Sequence, residues 1–493
     1  MDYIKLIKNL RVVFLAGLLM IPMSCNDDLL DKLPLGEVAN NEELGVGGQE
    51  VAVFGIYSLL RTTNVGSWNR HWFGSIRSDD AQKGSTSGDS AANGTAFNDF
   101  EYIATNGLST GWWNAHYEVI FACNEVINNI AESGATDEGS LINDAEARVI
   151  RALMYFELRR DYGEVPIITV TIDVPSDAFA PKSSVADIDQ FIKDDLEIAE
   201  QNLPLTWASF PGRATSGFAK SLLAKLYLYQ KDWANAYSKC QEVIDSGVYM
   251  LDPSLINLFE RGGNNGVESI FEIQQTVTEG GQQFNSIYYI SQGVRGTGAW
   301  NLGWGFNTPT QNLVDAFEPG DARKANTILE SGQDDGGFGS GTLPESPPLA
   351  QKYWNKKAYT MDDIRSSLGV NSNRWENIKI IRYADVLLMA AEAGNESGVI
   401  SPSEVADLIN MIRSRAGLPN TSASSQSELR DAIKQERRVE LALEEYRFYN
   451  LVRWGDATSV LGSLGYEPKH ALYPIPQEAI DNSGGVIVQN PDY

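Results

Sequence analysis

Two short stretches of the chain set large aromatic rings beside side chains that can fork hydrogen bonds. The first holds Trp68, His71 and Trp72 with Arg70 and Arg77. The second holds Tyr288, Tyr289 and Trp300 with Arg295 and Asn301. This combination suits recognition of a sugar. A saccharide ring has a face of C–H groups that packs on an indole or phenol, and its hydroxyls exchange hydrogen bonds with guanidinium and amide groups. Trp68, His71, Trp72, Arg77, Tyr288, Tyr289, Arg295 and Trp300 are therefore the candidate ligand-binding residues. Phe97 and Asn98, in the loop after the first stretch, are alternates. Each of these rings would serve a packed core equally well.

Catalytic chemistry has much less support. His71, His116 and His470 are isolated from one another. No H-E-x-x-H, nucleophile-elbow G-x-S-x-G or phosphate-loop pattern occurs. Cys and His spacing offers no metal site, so no metal and no cofactor is expected. The 65 Asp and Glu residues leave a glycosidase carboxylate pair open as an alternative, but an enzyme is not the expectation.

The formal net charge is −26, which argues against nucleic acid and against peripheral binding to anionic lipid. Hydrophobic residues make up 43% and charged residues 21%, as in a folded globular protein with ample length for a large core. Cys123 and Cys240 lie in helix-like apolar runs and read as buried hydrophobes.

The elements that must position these side chains are mostly helical. Apolar residues recur at helical spacing over 41–63, about 112–130, 144–163 and 184–203. Over 217–247, Leu223, Ala224, Tyr227, Ala236, Cys240 and Val243 fall at the spacing of a tetratricopeptide helix pair, in which small residues let two helices approach. A second, less regular pair runs from about Tyr383 to Arg413. Between the pairs, residues 260–376 are rich in Gly, turns and aromatics, and read as an irregular insertion on a helical frame.

Residues 1–24 read as a targeting segment: Lys5, Lys8 and Arg11, then the apolar run Val12 to Ile21, too short to span a bilayer. Ser24-Cys25 after that run is similar to a lipoprotein signal, which makes Cys25 the expected lipidated first residue. Asn26-Asp27-Asp28 resembles a surface-export signal.

The most informative string lies late in the chain. From Gln435 to Asp456 it reads as one helix with four arginines and four glutamates threaded through large apolar residues. A helix that apolar is mostly buried, and its charges must then be paired. Glu436-Arg437-Arg438-x-Glu440-Leu441, followed by Arg447-Phe448-Tyr449-x-Leu451-x-Arg453-Trp454-Gly455-Asp456, closely resembles the late helix of the SusD/RagB family. These are nutrient-capturing outer-membrane lipoproteins of Bacteroidetes-type bacteria. Tyr473-Pro474-Ile475-Pro476 and the closing Gln489-Asn490-Pro491-Asp492-Tyr493 resemble its terminal signature. Trp113, Tyr117 and Asn124 match a family helix and are expected to pack, and Trp304 and Phe317 fall in a family element that suggests scaffold.

The resemblance implies a mainly α fold, a tetratricopeptide-like scaffold with a loop-rich insertion layer, over 25–493. It implies a cell-surface, lipid-anchored, non-catalytic protein of the outer membrane. Such a protein captures oligosaccharide or polysaccharide and delivers it to a SusC-like TonB-dependent transporter. A peptide ligand, as in RagB-like members, is the alternative.

Overall fold

A computed structural model describes residues 46–277, 283–284, 287–360 and 376–493. The targeting segment 1–24, Cys25 and the acidic Asn26-Asp27-Asp28 lie outside them. Ten helices carry the architecture described below: α1 Val46–Leu60, α2 Gly107–Ser133, α3 Glu138–Tyr162, α4 Val185–Asn202, α5 Ser216–Gln230, α6 Trp233–Asp245, α7 Tyr383–Ser397, α8 Pro402–Arg415, α9 Gln426–Glu440 and α10 Arg447–Trp454. Each of α2 to α8 packs on its neighbours in sequence, α1 covers α2 and α3, and α9 closes on α7 and α8. This is the expected mainly α, tetratricopeptide-like scaffold.

Local chemistry sets the helix ends. Asn106, Asp137, Ser184, Thr215 and Asp232 each accept a backbone N–H of the first turn they precede. Ser401 with Glu404 and Ser425 with Glu428 form reciprocal capping boxes. In the α5–α6 pair, Leu223, Ala224, Tyr227, Ala236, Cys240 and Val243 are all buried, as their spacing predicts. The α1 helix shows one face to the core and one to water. Val53, Ile56 and Leu60 are buried, while Val51 faces solvent. Cys123 and Cys240 are buried free thiols, and burial raises both far above the usual thiol range.

Trp113, Tyr117 and Asn124 are indeed packing residues. The Tyr117 hydroxyl donates to the Pro166 carbonyl at 2.8 Å, and the Asn124 amide donates to that of Ile168 at 2.8 Å. They fasten α2 to the strand-like run after α3. Asp161, near the end of α3, gathers three donors: the Trp112 indole at 3.0 Å, the Tyr449 hydroxyl at 2.5 Å and the Tyr473 backbone N–H at 2.7 Å.

The insertion is built on two-stranded antiparallel ladders. The strands used below are β1 Ala81–Gly84, β2 Ser269–Ile273, β3 Phe306–Pro309, β4 Ile328–Glu330, β5 Tyr353–Asn355 and β6 Ile378–Arg382; Thr276–Val277 and Gln283–Phe284 form a further short pair. They pair as β1–β3, β2–β6 and β4–β5. The insertion has its own apolar cluster, with Trp300, Phe338, Trp354 and Tyr359 among its members.

The string 435–456 is not one helix. α9 ends at Glu440, and Leu443 and Glu445 take positive φ of 63° and 71° before α10 begins. The break turns Glu440 and Glu444 toward a set of cations delivered by distant segments. Arg382 reaches Glu440 and Glu268 at 2.6 Å and Glu444 at 2.7 Å. Arg415 joins Glu268 and Glu440 at 2.5 Å, and Lys357 joins Glu444 at 2.6 Å. Arg323 binds Glu436 at 2.7 Å, and Arg437 binds Asp385 at 2.8 Å. The charges are buried and paired, as the density of apolar residues requires.

Candidate functional site

The ladder β1–β3 sets Gln82 opposite Thr308 and Gly84 opposite Phe306, which brings the polar loop 84–98 against Trp304. Before β1, the short helix Trp68–His71 widens into a π-helical turn, Trp72–Ile76. Gly74 has to be glycine there, because a Cβ would stand 2.4 Å from the Glu445 carbonyl oxygen. The widened turn stacks Trp68, His71, Trp72 and Phe73 in succession beneath the surface. Trp68 is half-buried, with ring centroids of Phe306, Trp72 and His71 at 5.1, 5.3 and 5.4 Å.

Trp304 lies outermost at 38% exposure, its indole edge-on to Trp68. Its backbone is held from both sides. The Trp304 N–H donates to the Ile290 carbonyl at 2.9 Å, and its carbonyl accepts the Ser85 hydroxyl at 2.6 Å. Gly305 follows with φ +76°, and a Cβ there would sit 3.0 Å from that of Arg295.

Beside the indoles lies a polar cluster. Arg295 donates to the Ser85 hydroxyl at 2.7 Å and forms an ion pair with Asp89. Asp89 also accepts the hydroxyls of Thr86 at 2.5 Å and Ser85 at 2.9 Å. These hydroxyl bonds, with the Arg295 charge, hold its carboxyl down at about 2. Lys83 is anchored below, donating to the carbonyls of Thr86 and Asp89 at 2.8 Å. Gln82 donates to Gln351 at 3.0 Å on the open edge. Two indoles with exposed amide, guanidinium and carboxylate groups offer stacking surface and hydrogen bonds in both senses, which is what a polyhydroxylated ligand requires.

Of the residues expected from sequence, Trp68 and Arg295 take part in this face. Six are interior, and their expected exposure is corrected. His71 is fully buried among Trp68, Trp72 and Tyr288, and burial lowers its imidazole to about 3. Trp72 is buried against Phe97 and Phe306. Arg77 lies between the rings of Phe448 and Tyr473, 3.7 and 3.8 Å from their centroids, and donates to the Tyr102 hydroxyl at 2.9 Å. Its charge joins the early segment to the end of the chain. Tyr288 and Tyr289 are buried, and the Tyr289 hydroxyl donates to the Asn377 carbonyl at 2.7 Å. Trp300 stacks on Tyr359 within the insertion's own cluster. Of the alternates, Phe97 is buried, while Asn98 is half-exposed and accepts the Lys83 N–H at 2.7 Å.

The residue missed was Trp304, assigned to the scaffold by resemblance. Its signal was present in Gly303-Trp304-Gly305: an indole between two glycines has no adjacent side chains to cover it. Among the described residues, no group of three or more His, Cys, Asp or Glu side chains could hold a metal ion, and no helix is long and apolar enough to cross a membrane.

Known proteins resemble this chain along most of its length. A family model described as the SusD family matches residues 267–470. Another, described as starch-binding and associating with the outer membrane, matches residues 63–228. A SusD-like protein of Formosa agariphila is 28% identical over 521 residues, covering 99% of this chain and 100% of its own. One from Bacteroides ovatus is 27% identical, covering 90% and 82%. Among solved structures, a laminarin-binding SusD-like protein superposes with a TM-score of 0.77 at 28% identity, over 91% of this chain and 99% of its own. Surface glycan-binding protein A of Bacteroides thetaiotaomicron, in complex with laminarihexaose, shares the fold with a TM-score of 0.75 at 23% identity, over 90% and 99%.

Proposed function

On the premise that this chain belongs to the SusD/RagB family, we propose that it is a cell-surface glycan-binding protein of the outer membrane. It captures an oligosaccharide on the face formed by Trp68, Trp304, Arg295 and Asp89, and delivers it to a SusC-like TonB-dependent transporter. Cys25 carries the lipid that tethers the body, and residues 25–493 form the mature protein. The role is capture without cleavage.

One observation carries this reading: an exposed indole, Trp304, is held rigidly over a half-buried one, Trp68, beside a hydrogen-bonded Arg295–Asp89 pair. A cluster of rings at the surface serves burial poorly and serves a ligand well. The ligands named for two similar structures, laminarin and laminarihexaose, make soluble β-glucans the first to test.

The test is calorimetric titration with laminarihexaose and a panel of soluble polysaccharides, with released reducing ends assayed in parallel. Binding without cleavage, lost on Trp304→Ala, is the expected result. Cleavage would overturn the non-catalytic role, and binding that survives Trp304→Ala and Trp68→Ala together would overturn the site. Silence across the panel, with binding of peptides instead, would overturn the glycan assignment. Delivery is tested by co-purification with the transporter and by uptake in cells lacking this protein.

A further inference from the structure

A second cleft lies where the turn between α5 and α6 meets α7, α9 and α10, and it encloses about 140 Å³. Two half-buried indoles line it, Trp233 at the start of α6 and Trp454 at the end of α10. The Trp454 N–H donates to Glu392 at 2.8 Å, which fixes that ring. The Trp233 N–H has no hydrogen-bond partner among the described residues.

The charges of this cleft are unbalanced. Lys231, Arg430, Lys434 and Arg453 line it against two carboxylates, Glu392 and Glu396. Arg430 grips Glu396 through bonds of 2.6 and 2.7 Å, Arg453 is paired with Glu392, and Lys434 reaches Asp456 at 2.6 Å. The Lys231 ammonium has no partner among the described residues. In a chain of net charge −26, a cleft with an excess cation departs from the prevailing field.

The backbone at Lys231 supplies the independent observation. Lys231 ends α5 at φ +60°, a left-handed conformation that side chains disfavour. Helices α2, α7 and α10 end in the same conformation on Gly134, Gly398 and Gly455. A lysine stands at the edge of the cleft where glycine would fit more easily, at a conformational cost, and such costs gather at binding sites.

We propose that this cleft is a second saccharide subsite, selective for an acidic sugar of the uronate class. The sugar ring packs on the indole of Trp233, while Trp454, with Lys434 and Arg453 over its ring at 5.2 and 4.9 Å from the centroid, forms a fixed wall; the sugar hydroxyls meet the Trp233 N–H and the Arg430–Glu396 pair, and its carboxylate pairs with Lys231. The proposal rests on the reading of the protein as a saccharide binder and adds a charged class of ligand to it.

The experiment is calorimetric titration of the protein with trigalacturonate and, in parallel, with neutral laminaritriose. Trigalacturonate is expected to bind, and Lys231→Gly to weaken it by about tenfold or more. Glycine relieves the left-handed strain, so Lys231→Gly keeps or raises the melting temperature and its loss of binding is not unfolding. Trp233→Ala is expected to give a similar loss, and Trp304→Ala none. The proposal is overturned if trigalacturonate gives no heat, if Lys231→Gly leaves it unchanged, or if Trp304→Ala abolishes it. Should every glycan of the neutral panel fail while trigalacturonate binds through Lys231, the primary site falls and this one stands; neutral binding lost on Trp304→Ala with no heat from trigalacturonate removes this one alone.

Discussion

Trp304 meets Trp68 edge-on, with ring centroids 5.5 Å apart and planes inclined at 67°. Two indoles at that angle do not form one flat platform. Only the outer indole is open enough to be removed without cost to the core. Trp304→Ala is expected to weaken glycan binding by about tenfold, roughly 1.4 kcal/mol, with little change in melting temperature.

Trp300 gives the opposite result. It is buried in the insertion's own cluster, stacked on Tyr359. Trp300→Ala is expected to cost about 3–5 kcal/mol of stability. Affinity per folded molecule should change far less than in Trp304→Ala. Urea unfolding beside calorimetry separates the two; a Trp300→Ala protein of normal stability and lost affinity would return this residue to the ligand face.

Glu440 is the carboxylate on which Arg382, Arg415 and Arg323 converge. Glu440→Gln removes the charge and keeps the shape, leaving buried guanidinium groups short of a counter-charge. The expected loss is about 3–5 kcal/mol, read as a lower urea midpoint. A loss within about 0.5 kcal/mol would show that the remaining glutamates suffice.

Stability is expected to fall steeply in acid. Burial opposes the charge of Glu440, but Arg415, Arg382 and Arg323 outweigh it and hold the carboxyl well below its usual range. Burial likewise opposes the charge of Glu157, and Arg70 and His116 overcome it, bringing it to about 2. A folded-state value below the unfolded one contributes stability that is complete above about pH 4.5 and is lost as pH falls toward the folded value. His71, held to about 3 by burial, acts in the same direction, since unfolding lets it take up a proton from about pH 6.5 downward. Unfolding free energy measured between about pH 7 and pH 3 should decline throughout, and a flat profile would contradict the paired lattice.

The terminal signature makes a similar prediction. Asn490 donates to the carbonyls of Tyr162 at 2.9 Å and Tyr473 at 2.8 Å, and accepts Lys182 at 3.1 Å. Asn490→Ala leaves two buried carbonyls with one partner fewer and is expected to cost about 1–3 kcal/mol. Thermal unfolding checks it.

The helical frame was legible because its apolar residues recur at helical spacing and its caps are local. The break at Leu441–Tyr446 was not, because the string holds no proline and no glycine before Gly455; the positive φ at Leu443 and Glu445 accompanies ion pairs of Glu440 and Glu444 with segments far away in the chain. The proposed binding face was legible only in part. Types and spacing identified stretches rich in rings, but whether a ring faces inward depends on which distant segment covers it. Tyr473 and Phe448 cover Arg77, and Tyr359 covers Trp300, from well over fifty residues away. Trp68 and Arg295 stayed outside because the loop beside them is short of apolar side chains.

The buried lattice also dictates when the molecule can finish folding. Arg323, Arg382 and Arg415 lie earlier in the chain than their shared partner Glu440, and Arg77 waits for Phe448 and Tyr473. A chain made from its N-terminus therefore holds these cations with only the part of their counter-charge that Asp321 and Glu268 supply, and holds Arg77 without its covering rings, until the segment from Glu440 to Tyr473 has been added. Completion depends on the final segment, so a product truncated before it is left open to proteolysis.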